Sequence, residues 1–393
     1  MAFTRREFGK LALAGLPAAA FIDNPLFGSV FAQAKPNSKF GGVQLGVITY
    51  SYRSMPDQSA EATLKYVVDS NISAIELMDG PVELFLGRPP QPARGGGPGG
   101  GGGARGARGG AEAPAGPTPY EQLMAGTMPT CTPGQGRAGG GAAAGARPGG
   151  APAGAGGGGG RAQATPEQLA AQQQAADELR KWRTSVSLDK VKQLKKMYND
   201  AGVTMYAFKP DGLQKNMQTT DAEFDYVFTI ASTLGASALH MELPAGPDAM
   251  AMTKRMAQFA EKHKVYVGFH THGQGSMTAF DEVLAVSKWI MSNVDLGHYV
   301  AAGNVGGTPI QFLEKHHDRI SSFHLKDRTL PEHCSLTVPY GKGDGQIKDI
   351  LLLMKKNKWT FPATVELESP IPPDSDAVKE VKKCVDFARA VLA

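Results

Sequence analysis

Three absences limit the classes of protein to which this 393-residue chain can belong. Its three cysteines (Cys131, Cys334 and Cys384) are widely spaced, which excludes a disulfide framework and a cysteine-based zinc module. A strong charge bias is also missing. The net charge of +4 comes from the first 34 residues (+1) and residues 91–160 (+3), so the near-neutral remainder gives no sign of a nucleic-acid-binding surface. Finally, all nine histidines lie at or beyond His240, which confines histidine-dependent chemistry to the later part of the chain.

Residues 91–160 lack the composition of a folded segment. They contain 27 of the 49 glycines and 9 of the 27 prolines, with two acidic residues against five arginines. So little apolar surface cannot offset the chain entropy lost on folding, and a disordered insertion is predicted. Without this insertion and residues 1–34, about 290 residues remain, the size of one α/β barrel rather than two domains.

The first 34 residues resemble a twin-arginine signal peptide. Arg5 and Arg6 precede Phe8, a modest apolar run covers residues 11–21, and residues 32–34 (AQA) offer a cleavage site. The apolar run is short for a membrane anchor, which is the alternative interpretation. We therefore expect periplasmic or other export by the twin-arginine (Tat) machinery, which carries folded proteins.

From residue 43 to residue 393, short β-rich segments alternate with amphipathic helical ones. The predicted strands cover residues 44–52, 73–78, 204–209, 238–243, 265–272, 293–297, 320–326 and 360–367. The predicted helices cover residues 60–70, 188–201, 221–234, 248–263, 279–292, 309–317, 347–357 and 376–392. Eight successive strand–helix units predict a (β/α)8 TIM barrel, with a doubly wound open sheet as the alternative. The glycine-rich insertion falls in the second βα connection, on the catalytic face.

Metal-binding residue types recur at the ends of the last five predicted strands, where a barrel gathers its site. Strand periodicity places His270 with His272, and Glu366 with Glu368, on one face of their strands. Each residue alone is compatible with an ordinary hydrogen-bonded or solvated role. Their recurrence predicts a site for one divalent ion, and mixed nitrogen and oxygen ligands favour Mn²⁺, Zn²⁺, Fe²⁺ or Co²⁺. The candidate ligands are Glu242, His270, Asp295, His324 and Glu366.

Four motifs in the later half are similar to those of a known superfamily: residues 294–298 (VDLGH), 323–328 (FHLKDR), 338–344 (VPYGKGD) and 365–368 (VELE). In order and spacing they resemble the xylose isomerase-like TIM barrels, which include sugar phosphate isomerases and epimerases. The similarity spans residues 43–393 except the insertion.

The resemblance implies a metal shell of Glu, Asp, His and Glu, as in members of the D-tagatose 3-epimerase type. Asp295, His324 and Glu366 match three of these positions. The first Glu has no direct match, and either His270 or Glu242 completes the set. The missing Glu is also one of the two proton-transferring carboxylates of the epimerases. His298 matches the family's substrate-contacting histidine.

Further candidates surround this predicted site. Glu366, His270 and His272 are candidate acids or bases, and Lys209 and Lys326 are candidate stabilisers of a developing oxyanion. Lys326 has the alternative of a rim salt bridge with Asp327. The candidate substrate contacts besides His298 are Glu76, Arg328 and Tyr50. Glu76 is expected to form a hydrogen bond with a sugar hydroxyl. Tyr50 and Tyr52 either pack against a sugar ring or pack in the core.

These residues predict a metal-dependent sugar isomerase or epimerase that removes a proton beside a metal-bound carbonyl. A lyase or dehydratase acting on keto-sugars or 3-keto-glycosides is the alternative, because elimination begins with the same proton abstraction. Export favours an unphosphorylated carbohydrate. A non-catalytic sugar-binding barrel and an apurinic endonuclease are less favoured, the latter because early-strand histidines are missing. The less repetitive residues 118–132 either form a lid or belong to a passive spacer.

Overall fold

The computed structural model describes residues 35–90, 116–132, 165–211, 213 and 217–393. The predicted signal peptide, and the predicted disorder of residues 91–115 and 133–160, lie outside these residues. Across the described ranges, no helix combines the length and apolar character that crossing a membrane requires.

Eight parallel strands form the core of the molecule. They are β1 (Val43–Ile48), β2 (Ala74–Met78), β3 (Thr204–Lys209), β4 (Ala238–Glu242), β5 (Tyr266–His270), β6 (Ile290–Asn293), β7 (Phe323–Leu325) and β8 (Ala363–Val365). Each pairs with its sequence neighbour from β1 to β6, and β8 pairs with both β1 and β7. Two isolated parallel bridges, Ser292–Ile320 and Asp295–His324, connect β6 to β7. The sheet therefore closes on itself, which confirms the (β/α)8 barrel.

Helices surround the barrel, and most of them bury one apolar face against it. They are α1 (Ala60–Asp69), α2 (Asp79–Leu86), α3 (Pro119–Met124), α4 (Pro166–Ser185), α5 (Asp189–Asp200), α6 (Asp221–Leu234), α7 (Ala249–His263), α8 (Asp281–Leu284), α9 (Leu296–Ala301), α10 (Pro309–His316), α11 (Ile347–Asn357) and α12 (Ala377–Leu392). The bounds of α6 and α11 are those predicted from periodicity.

The helix of the fifth strand–helix unit and the strand of the sixth differ from their predictions. A helix over residues 279–292 was expected, but only α8 is helical there, and Ile290 already pairs with Val267 of β5. The strand ends at Asn293, because the Asp295 carboxylate accepts a hydrogen bond from the backbone N–H of His298 and caps α9. The predicted strand over residues 293–297 was therefore placed too late.

The second βα connection contains helices that periodicity did not predict. Helix α2 directly follows β2, so the insertion begins after a helix rather than at the strand end. Helix α4 begins with a capping box formed by Thr165 and Gln168. Near its end, Arg183 Nε donates to Glu83 Oε1 of α2 at 2.7 Å, and both side chains are buried. The two helices that flank the insertion are thus fixed to each other.

A disulfide bond joins the middle of the insertion to the connection that follows β7. Cys131 is bonded to Cys334, 203 residues away, and the Cys131 N–H donates to the carbonyl of Glu332 at 2.9 Å. Helix α3 lies just before this anchor and buries Leu123. One disulfide bond is not a disulfide framework, so that expectation stands. The wide spacing of the cysteines did not, however, predict the Cys131–Cys334 bond. Residues 116–132 are thereby held at the face of the barrel where the strands end.

Candidate metal centre at the carboxyl ends of the strands

Three buried side chains meet at the ends of β5, β6 and β7. His270 ends β5, His324 lies in β7, and Asp295 bridges to His324 just beyond β6. One ligand atom from each lies within 4.8 Å of the others, and the two imidazole rings are 4.5 Å apart between centroids. These side chains converge because the strands are parallel, so that the carboxyl ends of neighbouring strands lie at the same edge of the sheet.

A second layer of contacts orients His270. Asn293 donates through Nδ2 to the carbonyl of Ser322 at 3.2 Å, which leaves Asn293 Oδ1 as the acceptor that faces His270 Nδ1 at 2.9 Å. His270 therefore has its proton on Nδ1, and the lone pair of Nε2 is available as a ligand. Burial, together with nearby Lys209 and His324, keeps the pKa of His270 well below its usual range.

Glu76 orients His324 from beneath. Its Oε2 atom is 3.1 Å from His324 Nε2 and 3.0 Å from His240 Nδ1, and all three side chains are fully buried. Burial opposes ionisation, but the two imidazoles outweigh it and keep the pKa of Glu76 well below its usual range. Glu76 was expected to contact a sugar hydroxyl, whereas the structure places it inside the barrel under the histidines.

The other nitrogen of His324 faces carboxylates. Its Nδ1 atom is 3.2 Å from Glu366 Oε2 and 3.8 Å from Asp295 Oδ2. Burial opposes protonation of this imidazole, but Glu366 and Glu76 outweigh it and raise the pKa of His324 to about 10. The surroundings of His324 Nδ1 thus favour a positive charge.

Lys326 is buried among three carboxylates. Its Nζ atom lies 2.9 Å from Asp295 Oδ2, 2.7 Å from Glu366 Oε2 and 2.6 Å from Glu368 Oε2. Three carboxylates around one ammonium give this cluster an excess of negative groups, which suits a divalent cation. The alternative of a rim salt bridge with Asp327 is wrong, because that carboxylate instead accepts from the N–H groups of Gly341, Gly343 and Gly345.

A second group faces this cluster from β3 and β4. Glu242 Oε1 accepts from Lys209 Nζ at 2.9 Å, and Glu242 Oε2 lies 3.0 Å from His272 Nε2. Ligand atoms of Glu242, His270 and His272 also lie within 4.8 Å of one another. Burial opposes ionisation of Glu242, but Lys209 and the hydrogen bond from His272 lower its pKa. Strand β4 lies across the barrel from β8, so Glu242 and Glu366 approach the centre from opposite sides.

The residues at the ends of β5–β8 fit a bound cation. Within the described part of the chain, His324 Nδ1 and Asp295 Oδ2 are buried and have only ion-pair contacts, with Glu366 and Lys326 respectively. Buried ligand atoms beside excess negative charge are typical of residues that bind a metal ion. Glu242 differs, since a lysine and a histidine already contact its two oxygens.

The remaining predicted residues lie around this centre. His298 Nδ1 is 2.8 Å from Arg328 Nη1, and burial, followed by the charges of Lys326 and Arg328, lowers the pKa of His298 to about 2. Tyr50 is half-buried, with the guanidinium of Arg53 4.4 Å from its ring centroid. Tyr52 takes the packing alternative, because its buried hydroxyl donates to Ser70.

Sequence reasoning missed three residues that support the ligands: Asn293, His240 and Ser321. Asn293 is two positions before Asp295, a spacing that could have suggested a shared strand face. The contact between His240 Nε2 and Ser321 Oγ, at 3.0 Å, joins residues 81 positions apart and left no local signal.

Solved structures that this chain resembles include enzymes and a zinc-binding protein. The probable 3-DHS dehydratase AsbF from Bacillus anthracis, involved in petrobactin synthesis, is 10% identical with a TM-score of 0.50, and the match covers 88% of this chain and 98% of that one. A sugar phosphate isomerase/epimerase from Parabacteroides distasonis ATCC 8503 is 13% identical with a TM-score of 0.48, over 90% and 96% of the two chains. The IOLI protein with a binding zinc atom is 16% identical with a TM-score of 0.42, over 56% and 87%.

These low identities are similarities of fold alone. A search of curated proteins finds no match. The profile of the family described as "Xylose isomerase-like TIM barrel" matches residues 170–389, which include every strand from β3 to β8. Because that match covers more than half of the chain, this protein belongs to the xylose isomerase-like TIM barrel family.

Proposed function

We propose that this protein is a divalent-metal-dependent isomerase or epimerase that acts on an unphosphorylated sugar. The observation that carries the proposal is the buried cluster of His270, Asp295, His324 and Glu366, whose ligand atoms and negative charge suit a cation. Two findings support the reaction class: this chain belongs to the xylose isomerase-like TIM barrel family, and its structural neighbours include a sugar phosphate isomerase/epimerase.

His270, rather than Glu242, completes the proposed metal shell. Asn293 leaves His270 Nε2 available, whereas Lys209 and His272 contact both oxygens of Glu242. Glu76 then acts as the outer carboxylate that holds His324, an arrangement common behind metal-binding histidines. The ion is Mn²⁺, Zn²⁺, Fe²⁺ or Co²⁺, the choices that a mixed set of imidazoles and carboxylates favours.

An ion held there supplies Lewis-acid polarisation of a substrate carbonyl. Glu366 is placed to remove the proton from the adjacent carbon. His272 is placed to return a proton to the other face, because its hydrogen bond with Glu242 raises its pKa. The ammonium of Lys209 is buried at the strand ends and held in place by Glu242. From there its positive charge stabilises negative charge that develops on the carbonyl oxygen. Lys326 forms ion pairs with three carboxylates and keeps Glu366 in place.

The ion pairs support an unphosphorylated substrate. Lys209 contacts Glu242, and Lys326 contacts three carboxylates, so neither ammonium is unpaired for a phosphate group. The third cation, Arg328, has no carboxylate partner, but His298 and the carbonyl of Ser335 occupy its two terminal nitrogens. Export through the twin-arginine pathway is part of the same proposal, because sugar phosphates are scarce outside the cytoplasm. The Cys131–Cys334 bond supports it, since disulfides persist mainly in oxidising compartments. Cell fractionation tests the export: an Arg5→Lys, Arg6→Lys double variant should remain in the cytoplasm.

Incubation with a panel of sugars in D₂O tests the reaction. An epimerase or isomerase incorporates deuterium beside the carbonyl without bond cleavage, and EDTA should abolish this incorporation. Asp295→Asn should abolish it as well, while the surface variant Asp225→Asn serves as the matched control. Turnover confined to sugar phosphates would reject the substrate class, and turnover that survives metal removal would reject the mechanism.

Elimination is the second candidate reaction. The contacts of Glu242 with Lys209 and His272 favour it, because a proton abstraction followed by loss of a β-substituent needs no second carboxylate on the opposite face. The candidate substrates are keto-sugars and 3-keto-glycosides. Release of an aglycone or of water in the same D₂O panel, without epimer formation, would identify the lyase.

A further inference from the structure

Arg328 is a buried cation without a carboxylate partner. Its side chain lies just beyond β7, and the residue is 8% exposed. Within the described residues, no carboxylate oxygen lies within 4.0 Å of its guanidinium, and Nε has no hydrogen-bond partner. Two contacts are present: Nη2 donates to the carbonyl of Ser335 at 2.6 Å, and Nη1 lies 2.8 Å from His298 Nδ1. The guanidinium is therefore directed at an imidazole rather than at an acid.

This contact determines which nitrogen of His298 has the proton. A guanidinium has only donors and does not lose its proton in proteins, so His298 Nδ1 must be the acceptor. The proton of the neutral imidazole is then on Nε2. That nitrogen faces His272 Nδ1 at 3.4 Å, which is long for a hydrogen bond. The N–H group of His298 Nε2 can therefore donate to a closer acceptor, such as a substrate oxygen.

The neighbouring contacts agree with this direction. The Glu242 carboxylate only accepts, so His272 Nε2 donates to it at 3.0 Å. His272 Nδ1 is then the ring nitrogen that faces His298 Nε2. Arg328, His298, His272 and Glu242 thus lie in one row of contacts that begins at a group that only donates and ends at a group that only accepts.

We propose that Arg328 is a positioning residue that fixes His298 as the Nε2–H tautomer, so that His298 donates a hydrogen bond to a substrate oxygen. This role rests on the proposed function for its substrate, but the tautomer itself does not. It replaces the expectation that Arg328 contacts the substrate directly. His298 is the residue that touches the substrate, and Arg328 acts through it.

The loop after β7 holds Arg328 for this role. Ser335, whose carbonyl accepts from Nη2, has a φ of 49°, and Cys334 has a φ of 74°, both in the left-handed region that non-glycine residues seldom adopt. The Ser335 hydroxyl donates to the carbonyl of Ala301 at 3.1 Å, and Cys334 is bonded to Cys131. The disulfide and the hydrogen bond therefore fix the acceptor that orients the guanidinium.

Nitrogen-15 NMR of histidine side chains tests the tautomer without any need for turnover. The full-length protein, labelled at histidine, is measured with and without zinc, and His298→Gln identifies the signals. We expect a protonated Nε2 and an unprotonated Nδ1 in wild type and in Arg328→Lys, because both cations donate. Arg328→Met should show a mixture of tautomers. A protonated Nδ1 in wild type, or an unchanged tautomer in Arg328→Met, would overturn the proposal.

Kinetics separate positioning from direct binding. Arg328→Met should lower kcat by about 10- to 100-fold with a smaller change in KM, the range found for residues that act through a neighbour. Arg328→Lys should restore part of this loss. Arg255→Met, which removes an ion pair between helices α6 and α7, is the matched control. A raised KM with unchanged kcat would instead make Arg328 a substrate ligand. If wild type turns over no sugar, the proposed function fails, while the tautomer measurement still decides the role of Arg328.

Discussion

The Glu76→Gln variant isolates the contribution of the carboxylate beneath His324. Glu76 Oε2 contacts both His324 and His240 at 3.1 and 3.0 Å in a fully buried setting. A glutamine of the same shape removes the negative charge and can direct its amide N–H at a histidine nitrogen. His324 then loses the acceptor that holds its ring, and its Nδ1 becomes a poorer ligand.

Outer carboxylates of this kind typically change metal affinity by 10- to 100-fold, which corresponds to about 1.4–2.8 kcal/mol. Competition against a chromophoric chelator measures the affinity, and a thermal melt verifies that the variant is folded. Glu83→Gln is the matched control, because Glu83 is equally buried but pairs with Arg183 between helices α2 and α4. That control should lower stability and leave metal affinity unchanged. Equal metal affinities of wild type and Glu76→Gln would refute the reasoning.

Two further outcomes concern the cysteines. Peptide mapping without reduction should recover Cys131 linked to Cys334, and recovery of both thiols free would contradict this. Cys131→Ser should lower the free energy of unfolding by about 2–5 kcal/mol, as is usual when a native disulfide is lost. Burial raises the pKa of Cys384 to about 12, so this thiol should resist iodoacetamide at pH 8 in the folded protein and react after unfolding. Because the folded pKa lies above the usual 8.5, the contribution of this group to stability is complete below about pH 8.5 and is lost as pH rises toward 12. Rapid labelling of the native protein at pH 8 would show that Cys384 is not buried.

The sequence predicted the features that repeat or lie close together in the chain. Alternating β-rich and amphipathic segments predicted the eight strands, and the bounds of α6 and α11 matched the structure. Residue types at strand ends predicted that His270, Asp295 and His324 would converge, because parallel strands align their ends at one edge.

Features that depend on distant partners were missed. Periodicity continued a helix through residues 279–292, but pairing of Ile290 with Val267 overrode that local preference. The Cys131–Cys334 bond spans 203 residues, so spacing could not indicate it. Glu76 was assigned to substrate because it ends a strand, and only the tertiary contacts with His240 and His324 place it beneath the histidines.

Metal analysis of three full-length proteins tests the central claim most directly. Wild type, His270→Ala and Glu242→Gln are loaded with zinc or manganese, desalted and analysed by mass spectrometry for bound metal. We expect about one ion per chain in wild type and in Glu242→Gln, and loss of the ion in His270→Ala, because Asn293 prepares His270 as a ligand whereas Lys209 and His272 already contact Glu242. A wild-type chain that retains no stoichiometric ion, or an ion lost only in Glu242→Gln, would contradict the account.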